Sequence, residues 1–259
     1  VFYPEEFNIN DIALSWKSKG YDVDVLTMVP TYPESNIVDG YKNKFYQKEV
    51  WCSINVYRVK AVKGYKASLI KKFLKYFWFM VSGSIAALFL GKKYDYVLGY
   101  NAGPLTAMIP AVFICKLFKR PTTLWVQDVW PESVYAYGFK KTKVLSFFLD
   151  KFVKFTYYNI DKIAVSCKGF ESKLKPYVKN GTPFEYIPNW AINLDMKSKP
   201  LELNKDTKVQ FTFAGNTGKV QNLKNIIQSF NKLSDEYLEK AQLNIIGDGS
   251  ELERLKSLN

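Results

Sequence analysis

The sequence predicts an α/β protein of the doubly wound, Rossmann-like type, and three observations point there. Short apolar runs that suit buried strands alternate along the chain with stretches of helical period. One run, Val209–Ala214, ends on the glycine-rich turn Gly215-Asn216-Thr217-Gly218-Lys219 and leads into an amphipathic stretch. Hydrophobic residues make up 47% of the 259 and charged residues 24%, the balance of a chain that buries a real core.

The elements follow in order. Residues 8–19 read as a helix with Ile9, Ile12, Ala13 and Trp16 on one side, stopped by Gly20, and 21–28 as the strand after it. Pro30 and Pro33 mark a loop. Ile54–Val59 is a short strand before a long apolar helix, and 94–99 is the next buried strand. Residues 104–119 are helical, Thr122–Val126 a strand, 142–159 a helix, Lys162–Val165 a strand and 169–178 a helix. Strands separated by helices imply a parallel sheet with right-handed crossovers, whose ligands sit at the carboxyl ends of the strands.

Length bounds the organisation: 259 residues exceed one usual core but fall short of two full α/β domains. We divide the chain into a first Rossmann-like domain over 1–188, whose first strand is read as truncated, a linker over 189–207, and the beginning of a second domain over 208–259. The linker reading takes in the aperiodic, proline-marked stretch from Pro183. The second unit runs strand, glycine turn, helix over 222–233, strand over 242–246, Gly247-Asp248-Gly249 and a last helix. Two strands and two helices should leave such a sheet incompletely shielded. No cleavable signal peptide is visible, and the absence of an initiator Met suggests that the true beginning is not present.

Composition removes whole classes of chemistry. Histidine is absent, which excludes Ser-His-Asp and Cys-His nucleophiles and His-ligated metals. Cys52, Cys115 and Cys167 have no CxxC spacing, so neither a disulfide framework nor a thiolate metal site is suggested, and a reducing cytoplasm fits. Proton transfer must use carboxylate, lysine, tyrosine or the substrate itself.

The net charge of +13 is uneven. From Lys208 onward seven bases face six acids, so the surplus lies in the first domain. Residues 50–94 contain no acid, and their bases interleave with aromatic residues around the apolar run 76–91. An anionic membrane surface attracts such a segment, through Lys66, Lys71, Lys72, Lys75 and Trp78. The run is about a turn short of the roughly 20 residues that span a bilayer, so it is read as a helix packed on a sheet and docked on lipid. A core helix with a solvated lysine end is the alternative. No nucleic-acid-binding motif accompanies the charge, so nucleic acid is not expected as a partner.

Three motifs carry the chemistry. The turn from Gly215 to Lys219 presents backbone N–H groups, a helix start and the Lys219 cation to an anion such as a nucleotide diphosphate; a tight βα turn needing glycine torsions is the other reading. Gly247-Asp248-Gly249-Ser250 is a weaker version, equally readable as an Asp-Gly turn with a capped helix. The segment 125–133 places Gln127, Asp128 and Glu132 at the carboxyl end of a strand, where carboxylates can bind a substrate hydroxyl or assist proton transfer, or can cap local turns. Asp22-Val23-Asp24 has Asp-x-Asp metal spacing, but it opens a strand and is read as structural.

Pro4-Glu5, the segment 20–27, Pro30-Thr31-Tyr32-Pro33, the segment 125–133, Ile187-Pro188-Asn189-Trp190, Phe213-Ala214 with the glycine turn, and Ile246-Gly247-Asp248-Gly249 together resemble retaining family-4 glycosyltransferases. The closest subgroup is the N-acetylfucosamine-type transferases of O-antigen and capsule assembly. The resemblance implies a GT-B architecture with the active site in the cleft between two Rossmann-like domains. It also implies metal-independent transfer with retention and no cofactor, the nucleotide sugar being the donor substrate. It assigns Gly215, Asn216, Gly218, Lys219, Gln221 and Gly247 to the donor, and places Asn8 and Asn10 in a first loop facing the acceptor. Many relatives carry histidine where Gln127 stands, so its hydrogen bond to the donor sugar must be replaced, with Asp128 the candidate. The family's E-x7-E element would lie beyond Asn259, so this chain should lack a complete donor site.

The expected activity is transfer of a sugar from a nucleotide diphosphate to a lipid-linked or oligosaccharide acceptor, in bacterial surface polysaccharide synthesis. The enzyme would be peripheral on the cytoplasmic face of the membrane. A nucleotide-sugar 2-epimerase of the same fold, or a non-catalytic membrane-associated partner protein, are the alternatives.

Overall fold

The structure, a computed structural model, describes residues 8–31, 35–65, 69–136, 139–191 and 208–258. It is mixed α/β, with parallel strands and intervening helices of the Rossmann-like kind from which GT-B enzymes are built. The chain divides into two compact units, one of residues 1–131 and 142–192 and one of residues 132–141 and 193–259.

The first unit opens with α1 (Asn8–Ser18), whose Ile9 and Ala13 pack on Ile54 and Val56. Gly20, at φ +88°, takes the left-handed conformation that ends the helix. Strands β1 (Asp24–Met28), β2 (Tyr46–Trp51) and β3 (Ile54–Val59) form one sheet in the order β1-β3-β2. β3 runs parallel to β1 and antiparallel to β2, so the first domain is not the purely parallel sheet that alternation suggests. The hairpin turns on Cys52 and Ser53, at φ 48° and 61°; two successive positive φ values match strand twist but are normally signalled by Asn-Gly.

The second sheet is parallel throughout, in the order β4 (Val97–Asn101), β5 (Thr122–Val126), β6 (Lys162–Val165) and β7 (Phe184–Tyr186). Its connections carry α3 (Ile109–Phe118), α5 (Lys143–Tyr158) and α6 (Gly169–Leu174). All five residues of β5 are buried, as a central strand covered on both faces requires. Leu124, Val126, Ile163 and Val165 meet Val112, Val153, Tyr157 and Leu174 in the main core. Thr142 caps α5 by accepting from the Leu145 amide at 3.2 Å. β7 falls inside the stretch read as linker: three residues pair with β6 where periodicity has too few residues to register.

The long helix α2 (Leu69–Leu90) has 22 residues, about 33 Å at 1.5 Å per residue, so it is not a turn short of a bilayer. With the turn after it, Ile70–Lys93 is long and apolar enough to cross a membrane by length and composition. The helix begins before the apolar run at Tyr76, because Lys71, Lys72 and Lys75 are good helix formers. Phe79, Ala86, Ala87 and Leu90 are buried, and a side chain at Gly83 would approach Pro110 of α3 to 3.0 Å. One face of α2 therefore belongs to the core of the first unit.

In the second unit β8 (Val209–Ala214) and β9 (Ala241–Ile246) pair in parallel. Phe213, Leu243 and Ile245 pack with Leu223 and Ile227 of α7 (Leu223–Phe230) and Leu255 of α9 (Leu252–Lys256). The other face is polar, with Gln210, Gln242 and Asn244 bonded in a ring of amides at 2.6–3.3 Å. α4 (Glu132–Ala136) and α8 (Asp235–Lys240) also belong to this unit.

Candidate functional site

In the first unit the polar groups gather at the carboxyl ends of β4, β5 and β7. Gln127, the residue after β5, donates its backbone N–H to the Asn101 carbonyl at 2.9 Å. Its Oε1 accepts from Asn189 Nδ2 at 2.7 Å, and Asn8 Nδ2 donates to Asn189 Oδ1 at 3.3 Å. Three amide side chains from the start of α1, the end of β5 and the segment after β7 thus form one chain. Gln127 Nε2 is buried and has no protein acceptor among the described residues, which makes it a donor in want of a partner.

Asp128 sits beside this chain. Its carbonyl accepts from Asn101 Nδ2 at 3.5 Å, and burial raises its carboxyl above the ordinary carboxylate range. Burial, then the Asp128 charge, raises the Tyr100 hydroxyl. Below these groups Tyr100, Trp125 and Trp190 form a column, with centroids 5.2 and 5.7 Å apart and the two indoles stacked within 9°. Trp125 Nε1 donates to the Ile187 carbonyl at 3.0 Å and so ties β5 to the segment that carries Asn189.

In the second unit the two glycine turns are zipped together. The Gly215 amide donates to the Ile246 carbonyl, Thr217 N–H to Asp248, and Glu251 N–H to Thr217, each at 2.9 Å. Gly247 and Gly249 are required by this closeness: a Cβ would lie 1.8 Å from the Gly215 carbonyl oxygen at one and 2.4 Å from Asn216 Oδ1 at the other. The weaker motif of the sequence is thus the scaffold of the stronger one.

The turn does not run straight into a helix. Lys219 lies in a short 3-10 turn, Lys219–Gln221, Asn222 is left-handed at φ 51°, and α7 starts only at Leu223. Gln221 Oε1 accepts from the Gly218 amide at 3.2 Å, so Gln221 braces the loop from inside. The Gly215, Thr217 and Gly218 amides are thus all engaged within the fold. Lys219 is exposed on this loop. Thr217 is fully buried, and its Oγ1 has no partner among the described residues.

Other expectations need correction. Asn8 and Asn10 lie in the first turn of α1 rather than in a loop, and Asn10 is buried there. Glu132 opens α4 in the second unit, in the first helical turn, where a carboxylate complements the helix dipole. Lys75 is buried, its ammonium 3.5 Å from the centroid of the Tyr65 ring, and burial lowers its pKa to about 8. Trp78 donates to the Lys60 carbonyl at 2.7 Å and meets Phe45 edge-on, so its polar end is used inside the fold. Arg58, also from the acid-free stretch, is buried against Glu49 at 2.7 Å. Lys71 is exposed and Lys72 half-buried, while Lys66 lies outside the described residues. In the Asp-x-Asp pair Asp22 contacts Lys17 at 3.2 Å, and Asp24 accepts from Asn55 at 2.7 Å and Tyr94 at 2.5 Å.

No protein-family model matches the chain. Among curated proteins it is similar to the probable glycosyltransferase WbjE of Pseudomonas aeruginosa, 29% identical over 175 residues covering 64% of this chain and 42% of WbjE. It is also similar to the putative colanic acid biosynthesis glycosyl transferase WcaI of Escherichia coli K12, 24% identical over 266 residues covering 93% of this chain and 61% of WcaI. The chain thus spans about half the length of these curated relatives.

Asn101, Tyr100, Asn189 and Trp190 have no assigned role in the sequence reading. The signal for the first pair was their place at the end of a buried strand; for the second, an Asn-Trp pair after a strand too short to recognise.

Proposed function

We propose that the chain is the acceptor-side unit, and the beginning of the donor-side unit, of a bacterial glycosyltransferase. It moves a sugar from a nucleotide diphosphate to a lipid-linked or growing glycan of a surface polysaccharide. Similarity to WbjE and WcaI supports the class, and the name of WcaI supports the polysaccharide setting. The observation that carries the site is the Asn8–Asn189–Gln127 chain beside Asp128, at the carboxyl ends of parallel strands.

In this reading the Gln127 amide, rather than the Asp128 expected from the sequence, donates to a sugar oxygen where many family-4 enzymes use histidine, because its Nε2 has no protein acceptor among the described residues. Asp128, poised by burial, accepts from a substrate hydroxyl. Lys219, exposed on the glycine loop, binds the diphosphate. Transfer proceeds with retention and without metal: the departing diphosphate takes the acceptor proton during front-face attack, which requires no histidine.

Membrane attachment on the cytoplasmic face belongs to the same proposal. The face of α2 turned from the core exposes Ile70, Phe73, Phe77, Ile85 and Phe89, with Lys71 and Lys72 at its start. Bases beside an apolar stripe suit an anionic lipid interface.

The test is turnover of a panel of nucleotide sugars by the complete gene product, with a lipid-linked acceptor. Product made without acceptor, as a 2-epimer of the donor, would replace this proposal with the epimerase.

A further inference from the structure

Beside the candidate site, α1 and Trp190 flank an open pocket of about 270 Å³ lined by Asp11, Ile12, Ser15, Trp16 and Trp190. We propose that it is a saccharide subsite that holds one sugar ring of the acceptor glycan; this deepens the glycosyltransferase reading and rests on it.

The pocket is built on spacing. Residues 11, 12, 15 and 16 share one face of α1 over successive turns, and Trp190 crosses that face with its Nε1 donating to Asp11 Oδ2 at 3.1 Å. Trp190 is held before any ligand arrives, because one indole face is stacked on Trp125, itself 1% exposed. Its remaining 39% exposure is therefore a rigid platform that loses little entropy on binding.

The lining fits a pyranose better than other ligands. A sugar ring has C–H faces, which carry partial positive charge and pack on the electron-rich indole face, and hydroxyls around its rim. Asp11 accepts hydrogen bonds from hydroxyls, and Ser15 donates or accepts. Among the described residues of the lining Asp11 carries the only charge, and it repels a phosphate, a nucleotide or an anionic headgroup.

Position gives the subsite its place in the reaction. Asn8, one helical turn before Asp11, ends the amide chain to Gln127, and Asn189 is the chain neighbour of Trp190. A glycan whose reacting hydroxyl lies at Gln127 and Asp128 would lay an adjoining ring along α1, so the pocket sets which acceptor is elongated.

The experiment follows the indole N–H resonances of Trp16 and Trp190 in the complete gene product. The probes are methyl pyranosides of glucose, galactose and N-acetylglucosamine, then their β-linked disaccharides, without nucleotide. The expected result is a saturable shift of both resonances with at least one probe, weakened roughly tenfold by Asp11→Asn, which trades a charge-assisted hydrogen bond for a neutral one. Trp16→Leu should weaken it as well, with the Trp190 resonance reporting an intact fold. No saturable shift with any probe would overturn the proposal. So would equal affinity in Asp11→Asn and parent, or saturation by N-acetyl-leucinamide instead of sugars, the mark of a pocket for polypeptide. Binding is read without turnover, so failed transfer would sink the glycosyltransferase reading alone; intact transfer without saccharide binding would sink the subsite alone.

Discussion

Asn189 donates its side-chain amide to Gln127 Oε1 at 2.7 Å across 62 residues of sequence. That bond leaves the buried Gln127 Nε2 as the group with hydrogens to offer. Asn189→Ala should free the Gln127 amide and lower kcat/KM by roughly tenfold, about 1.4 kcal/mol. Thermal stability should change little, because Asn189 is exposed. Steady-state kinetics of the complete gene product, beside a melting curve, make the check.

Asp128→Asn should lower turnover and raise stability together. Burial raises the Asp128 carboxyl, so the folded protein holds its proton more tightly than the unfolded chain does. Its ionised form therefore destabilises the fold above the ordinary carboxylate range, and that cost disappears as pH falls to where both states are protonated. The melting-temperature gain of Asp128→Asn should be present at pH 7 and close as pH drops toward the unfolded carboxylate value. An equal gain at all pH values would assign the effect to packing.

Lys219 and Gly249 separate binding from folding in the glycine loops. Lys219→Ala removes an exposed cation, so stability should hold while nucleotide affinity falls by about 1–3 kcal/mol. Gly249→Ala drives a Cβ to 2.4 Å from Asn216 Oδ1 and 2.8 Å from the Thr217 backbone, so both stability and nucleotide affinity should fall. Calorimetric titration with nucleoside diphosphates, beside thermal unfolding, distinguishes the two variants.

The parts of this fold that the sequence exposes are those set by local pattern. Ile54–Val59, Thr122–Val126, Lys162–Val165 and Val209–Ala214 are strands with the expected bounds, because each is short and dense in β-branched, aromatic and other apolar residues. β2 alternates exposed and half-buried residues on a sheet edge, with Lys48 and Glu49 inside it, and turns on Cys52-Ser53, so it carries neither the apolar run nor the turn residues that announce a hairpin. For the site, Gln127 and Asp128 follow from strand-end logic. Their link to Asn189 is a long-range contact that no local pattern encodes. Arg58 and Lys75 read as surface cations because sequence charge says nothing of a distant Glu49 or of the Tyr65 ring above an ammonium.

Lys71 and Lys72, but not Lys75, should govern attachment to lipid. The double change Lys71→Gln with Lys72→Gln should weaken binding to anionic vesicles roughly tenfold or more, at about 1 kcal/mol per base near the surface, and make the residual binding less salt-sensitive. Lys75→Met should leave vesicle binding unchanged and stabilise the fold at pH 7, since burial lowers the ammonium to about 8. The folded state releases that proton before the unfolded chain does, so the gain should shrink as pH rises from about 8 toward 10.5.

Breaking the Glu49–Arg58 pair should damage the fold alone. Arg58 is 1% exposed, so Glu49→Ala leaves a buried guanidinium without its carboxylate at a cost of about 3 kcal/mol. Urea unfolding of Glu49→Ala and the parent reads the difference.

Radiolabelled sugar transfer by the complete gene product, from a panel of nucleotide sugars to lipid-linked acceptor, with Gln127→Ala assayed alongside, tests the proposed activity and its site together. Labelled glycan should form with one donor, with the anomeric configuration retained, and Gln127→Ala should slow its formation at least tenfold while nucleotide affinity is preserved. Full-rate transfer by Gln127→Ala would remove the site from the chemistry, and conversion of the donor with no label in the acceptor would contradict glycosyl transfer.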